Sequence, residues 1–188
     1  MQLDALREVA NIGCGHAVNA LSRLMGGRKV SLSIPRVLLA GASEVTGLFG
    51  GGEAPVLAAR LGIEGQLQGL MLLVLPEADA TTLEQLLLGN ASASPEERES
   101  AFSEAANIVA SACLSAIGTL TRWRLLPTVP VLMRGPVGEV LDSATTASSQ
   151  VVVMETHFRV AGAPELAGQM LLVLERSGSQ ALLARLGL

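Results

Sequence analysis

Over residues 2–25 the apolar positions recur with a helical period. Leu6, Gly13, Ala17, Ala20 and Leu24 lie on one side and Asp4, Glu8 and Asn11 on the other. The pattern predicts a first helix, stopped by Gly26-Gly27, which accept the left-handed backbone that closes a helix. Residues 30–40 alternate in part and contain Pro35, which predicts an edge or bulged strand. Strands are expected at 56–63 and 66–75 and a helix at 81–88 with Gly89 as its stop, and the matching methionines Met71 and Met170 read as core strand residues. Ser94-Pro95-Glu96-Glu97 places Ser at an N-cap, Pro at the first helical position and Glu at the third, so a long helix should run from there to about Leu120. Its apolar side is expected to carry Phe102, Val109, Cys113, Ala116 and Leu120, and its polar side Ser100, Glu104 and Asn107. Strands near 127–133, 137–142, 150–160 and 168–175 and a closing helix over 178–186 complete the expectation.

The two polar stripes share one pattern, Asp/Ser-x3-Glu-x2-Asn, at an offset of 96 residues. At about 100° per residue the three side chains of each set point the same way. Ala10-Asn11-Ile12 recurs as Ala106-Asn107-Ile108, and the seven residues from Gly69 recur from Gly168 with six identities at an offset of 99. A three-residue insertion in the second half reconciles the offsets. Two copies in the same order indicate duplication inside one pseudo-symmetric fold. The expectation is an α/β (α+β) domain over 1–188, built from helix–strands–helix halves at 1–92 and 93–188.

Composition narrows the function. With 49% hydrophobic and 16% charged residues the chain can bury a substantial core. Its net charge of −4 and 2% aromatic content offer neither a basic patch for phosphates nor a platform for bases, so no nucleic-acid partner is expected. The longest apolar run, 70–75, falls far short of the ~20 residues that span a bilayer, and the N-terminus lacks a signal-peptide pattern, so membrane insertion and secretion are not expected. Cys14 and Cys113 lack metal-ligand spacing and read as buried free thiols of a cytoplasmic protein. His16 and His157 have no partner at ligand spacing, Gly50-Gly51-Gly52 reads as a hairpin loop because no Lys-Ser/Thr follows, and Leu48 and Phe49 read as packing residues.

Glu and Asn without a nearby His, Lys or Cys make poor covalent-catalysis machinery, and paired carboxylates exist only in the first copy. The shared chemistry must therefore need only a carboxylate and a neutral amide. A carboxamide can hold a water in line with an electrophile through its donor and acceptor together. Phosphoryl transfer is the reaction class in which positioning and electrostatics suffice, and an acyl phosphate on another protein fits. A mid-helix Asn costs roughly 0.5 kcal/mol relative to Ala, yet stands at the same place in both copies. Both motifs, their place on the first helix of each half, and the stretch Leu3-Asp-Ala-Leu-Arg-Glu-Val-Ala-Asn-Ile-Gly13 followed by Ala20-Leu-Ser22 resemble the CheC / CheX / FliY family of bacterial chemotaxis phosphatases. Two complete motifs without added docking segments match its CheC branch. The resemblance implies a continuous, mainly antiparallel sheet with helices packed against it, and hydrolysis of the phospho-aspartate on the response regulator CheY. It implies that Asn11 and Asn107 orient the attacking water, that Glu8 and Glu104 pair with a lysine of the regulator, and that Asp4 and Ser100 support the contact. It further implies no cofactor of the chain's own, Mg²⁺ being supplied by the response regulator, and CheD, a receptor-modifying deamidase, as a further partner. The alternative is a non-catalytic module of the same fold that holds phospho-CheY or CheD.

Overall fold

The computed structural model describes residues 2–47, 52–89, 92–144, 150–162 and 165–188. Leu48, Phe49, Gly50 and Gly51 lie outside them. The first half comprises α1 (Gln2–Leu24), β1 (Val30–Leu32), β2 (Arg36–Ala40), α2 (Ala42–Gly47), β3 (Pro55–Glu64), β4 (Gly69–Pro76) and α3 (Glu77–Leu88). The second comprises α4 (Pro95–Thr121), β5 (Leu126–Pro127), β6 (Val131–Pro136), α5 (Val137–Ala144), β7 (Val151–Val160), β8 (Leu166–Glu175) and α6 (Arg176–Arg185).

The strands form one antiparallel sheet in the order β1–β7–β8–β4–β3–β5, with β2 also on β7 and β6 also on β3. It reads alike from both edges. At its centre Leu72 lies opposite Leu171, its own counterpart at the 99-residue offset, so a pseudo-two-fold axis passes between them. The edge strands are exchanged between halves, because β1 and β2 pair with β7 while β5 and β6 pair with β3.

Central strands buried on both faces explain the uninterrupted apolar run of β4 and β8. Leu57, Leu61, Met71, Leu73, Leu75, Met170, Leu172 and Leu174 meet α1, α3, α4 and α6 on one face. Val56, Ala58, Leu70, Leu72, Val74, Leu171 and Val173 form a second core with Val45 of α2 and Val137, Val140 and Leu141 of α5. Alternation along each strand feeds the two cores in turn. Met71 and Met170 are both core strand residues, as their repeat positions imply. The α4 segment is long and apolar enough to cross a membrane by composition. Phe102, Ala106, Val109, Ala110, Cys113, Leu114 and Ile117 lie in the first core, the place of a core helix of that composition.

Four local expectations are corrected. Residues 137–142 form helix α5 and not a strand: Gly135, at φ 153°, and Pro136 end β6, and Val137, Val140 and Leu141 then bury one side at helical spacing. Helix α2, its counterpart in the first half, has no equivalent in the sequence reading. The single edge strand over 30–40 is broken at 33–35, where the Ser33 N–H donates to the His157 carbonyl (2.9 Å), the His157 N–H donates to Ser33 Oγ (3.0 Å), and Pro35 has no N–H to give. The strand over 127–133 breaks in the same way: the Thr128 N–H donates to the Gly62 carbonyl (2.9 Å), and the Gly62 N–H donates to Thr128 Oγ1 (2.8 Å).

The helix seams also shift. Leu21 and Ile117 are fully buried, whereas Ala20, Leu24 and Ala116 are half-buried and Leu120 is exposed. A period of 3.6 residues carries the seam around by one position over helices of this length. Helix α1 closes as read, with Gly26 and Gly27 at positive φ and the Gly27 N–H donating to the Ser22 carbonyl (2.8 Å).

Glu84 of α3 is buried at 2% exposure, with Arg134 Nη2 3.7 Å from its Oε1. Burial pushes its carboxyl above the usual carboxylate range, against the pull of Arg134. Between the ordinary and the raised value the native state holds a proton that the unfolded chain releases, so stability falls as pH rises through that window. Glu84→Gln is therefore expected to raise the melting temperature at pH 7–8, with the gain fading near pH 4, where both states are protonated. Thermal melts of the two proteins across pH check this, and a gain that persists undiminished at pH 4 contradicts it.

Candidate functional site

Each motif is carried on a helix whose opposite side is fixed in the core. Beneath the first lie Val9, Ala10 and Cys14, and beneath the second Ala105, Ala106 and Val109, all buried. The capping box sets the start of α4: the Glu97 N–H donates to Ser94 Oγ (3.2 Å) and the Ser94 N–H to Glu97 Oε2 (2.7 Å). Helices α1 and α4 approach so closely that a Cβ on Gly13 would lie 2.8 Å from Cys113 Sγ. Both cysteines are free and buried, as the composition suggests. The two thiols perturb one another: interaction with Cys14 and burial push the Cys113 thiol up, while Cys113 lowers that of Cys14.

Asp4, Glu8, Asn11, Ser100 and Glu104 are exposed, and Asn107 is half-buried. Asp4 accepts from Arg7 Nη1 at 2.9 Å. Among the described residues, Glu8, Asn11, Glu104 and Asn107 have no side-chain hydrogen-bond or ion-pair partner. The acid and the amide of each set are thus presented side by side from a rigid base with their hydrogen-bonding capacity unspent. Two stretches of surface meet at the second set. Glu104 closes an open cleft with Glu96, Glu97, Ser100 and Leu88, and with Asn107 it lines another against the loop at 127–130. The first is acidic and the second is apolar at its rim. Among the described residues no group of three or more His, Cys, Asp or Glu is placed to hold a metal ion.

One polar cluster was missed from the sequence. Glu155 is fully buried on β7, with His157 Nε2 2.9 Å from its Oε1 and Arg36 Nη1 3.5 Å from its Oε2. Gln169 lies 3.2 Å from His157 Nδ1. His157, for which no partner at ligand spacing is expected, is thus engaged by a carboxylate and an amide, and it borders a cavity of ≈ 240 Å³ with Val56, Val74 and Val137. The period-two spacing of Glu155 and His157 on a strand was the available signal. His16 is exposed on α1.

The profile of the CheC-like family matches residues 1–39. Over 99% of the chain and 94% of the relative, the sequence is 32% identical to a protein of Bacillus subtilis (strain 168) named CheY-P phosphatase CheC. The chain belongs to the CheC-like family. Among solved structures, FliY from Thermotoga maritima superposes with a TM-score of 0.79 at 19% identity, covering 99% of this chain and 96% of that one. A CheX of Borrelia burgdorferi, solved in complex with CheY, BeF3 and Mg²⁺, matches with a TM-score of 0.57 at 13% identity, covering 88% and 97%. At such identities these likenesses establish the fold, a mixed antiparallel sheet with helices of the CheC and FliY kind. For this CheC-like chain the setting is chemotaxis and its response regulator.

Proposed function

We propose that this chain is a phosphatase that hydrolyses the phospho-aspartate of the response regulator CheY at two sites, Glu8–Asn11 and Glu104–Asn107. One observation carries the reading: an acid and an amide, adjacent and without side-chain partners among the described residues, stand on both motif helices of a chain 32% identical to a CheY-P phosphatase. In the proposed reaction the Asn carboxamide accepts a hydrogen bond from a water and donates one toward the phosphoryl group, holding the water in line with phosphorus. The water oxygen bonds to phosphorus as the bond to the aspartyl oxygen breaks, releasing a carboxylate, inorganic phosphate and a proton. Preorganised placement suffices because the acyl phosphate is already a good electrophile. The Glu carboxylate would repel the phosphate unless it met a cation, so it is assigned to a lysine of the regulator, where it fixes register. Mg²⁺ belongs to the regulator in this scheme, and the chain supplies no cofactor. Asp4 and Ser100 support the contact, the first by engaging Arg7. The family resemblance adds CheD as a second partner and the cytoplasm as the place of action; retention of the chain on immobilised CheD tests the former.

The direct assay follows the decay of phosphorylated CheY with and without the chain. Acceleration at catalytic, substoichiometric amounts supports the phosphatase. Tight binding of phospho-CheY without acceleration supports the adaptor of the same fold.

A further inference from the structure

The loop at 127–130 stands beside Glu104 and Asn107 and is anchored to β3 through Pro127 and Thr128. It closes a cleft of ≈ 290 Å³ whose other wall is Ser103, Glu104 and Asn107. At its tip Val129 is 83% exposed. A bare valine usually means little, but this one is held in place. Pro127 and Pro130 flank Thr128-Val129, and the Thr128 backbone and hydroxyl are both tied to Gly62 of β3. A rigid apolar tip loses little conformational freedom on binding, which is the property of an anchor. Its neighbour Asn107 has short reach, so a protein whose reacting group meets that amide must also lie against the loop. Among the described residues Glu104 is the only charge lining the cleft, so the matching surface pairs an apolar patch with a cation.

We infer that the loop at 127–130 is a docking rim for the phosphorylated response regulator, with Val129 seated in an apolar patch of that protein and setting affinity at the second site. This rests on the phosphatase reading. The first half carries a matching turn: Thr128, whose N–H and hydroxyl engage Gly62, corresponds to Ser33, whose N–H and hydroxyl engage His157, so the counterpart of Val129 is Ile34, itself 80% exposed.

Single-site backgrounds separate the contributions. With Asn11→Ala, leaving only the second site, Val129→Ser should raise KM for phospho-CheY on the order of tenfold at an unchanged kcat, and Val129→Ile should keep the parental KM. With Asn107→Ala, leaving only the first, Val129→Ser should change neither constant. A second readout is independent of turnover: titration with CheY carrying beryllofluoride in place of the phosphoryl group should show one of two equivalents weakened by Val129→Ser. Unaltered KM in the Asn11→Ala background, or two undisturbed equivalents in the titration, overturns the rim while leaving the phosphatase standing. Failure of the wild-type chain to accelerate phospho-CheY decay overturns the phosphatase instead, and the titration still decides the rim. Because Val129 is so exposed, its substitution leaves the melting temperature unchanged, which excludes misfolding as the cause.

Discussion

Replacing Asn11 and Asn107 together by alanine is expected to abolish the acceleration of phospho-CheY decay, leaving the regulator's own slow hydrolysis. In the proposed reaction each amide both accepts from the water and donates to a phosphoryl oxygen. Loss of a single preorganised donor costs on the order of 10²–10³-fold in comparable reactions. Each single variant should retain the activity of the other site, so on a logarithmic scale of rate the effect of the pair far exceeds the sum of the singles. The substitution is clean on the folding side. Neither side chain has a partner within the described residues, and alanine is the better helix former by roughly 0.5 kcal/mol per position. Circular dichroism and the melting temperature should therefore be preserved or slightly raised. A double variant that accelerates decay as wild type does removes the amides from the chemistry.

The largest stability effect is expected at Phe102. Its side chain is fully buried on the core side of α4, among the residues that seat the second motif helix. Phe102→Ala should cost about 3–5 kcal/mol, since the lost transfer energy is joined by an incompletely collapsed cavity. For a domain whose whole stability is roughly 5–15 kcal/mol, that lowers the melting temperature by about 10 °C. Denaturant unfolding with an unchanged slope and a lower midpoint checks it. Leu120→Ala on the same helix should stay within about 0.5 kcal/mol of wild type, because Leu120 is 43% exposed. If the two substitutions cost the same, the seam of α4 runs where the simple periodicity placed it and not where the structure does.

That contrast marks what could be read in advance. The motif helices were legible because each sustains a periodic face over more than twenty residues and ends in recognisable chemistry, Gly26-Gly27 in one case and the Ser94 box at the start of the other. Strands β4 and β8 were legible because one sequence occurs twice. Short elements were not. Val137, Val140 and Leu141 suit a helix, but a segment of eight residues gives a period too little room to declare itself against an alternating strand. The breaks at 33–35 and 128–130 depend on bonds to His157 and Gly62, which lie far away along the chain. Of the site, the acid–amide pairs were visible as a pattern. The rim at 127–130 was not, since its nearness to Asn107 is created by packing.

The exchanged edges carry a consequence for evolution and for engineering. Because β1 and β2 finish the sheet begun by the second half, and β5 and β6 finish that of the first, neither copy can be cut away to leave a working monovalent protein. A half-length fragment would expose the long flank of β3 or β7 as an unpaired, aggregation-prone border. Ancestral loss of one active centre could therefore proceed only by altering a few surface side chains, with the interlaced scaffold kept whole.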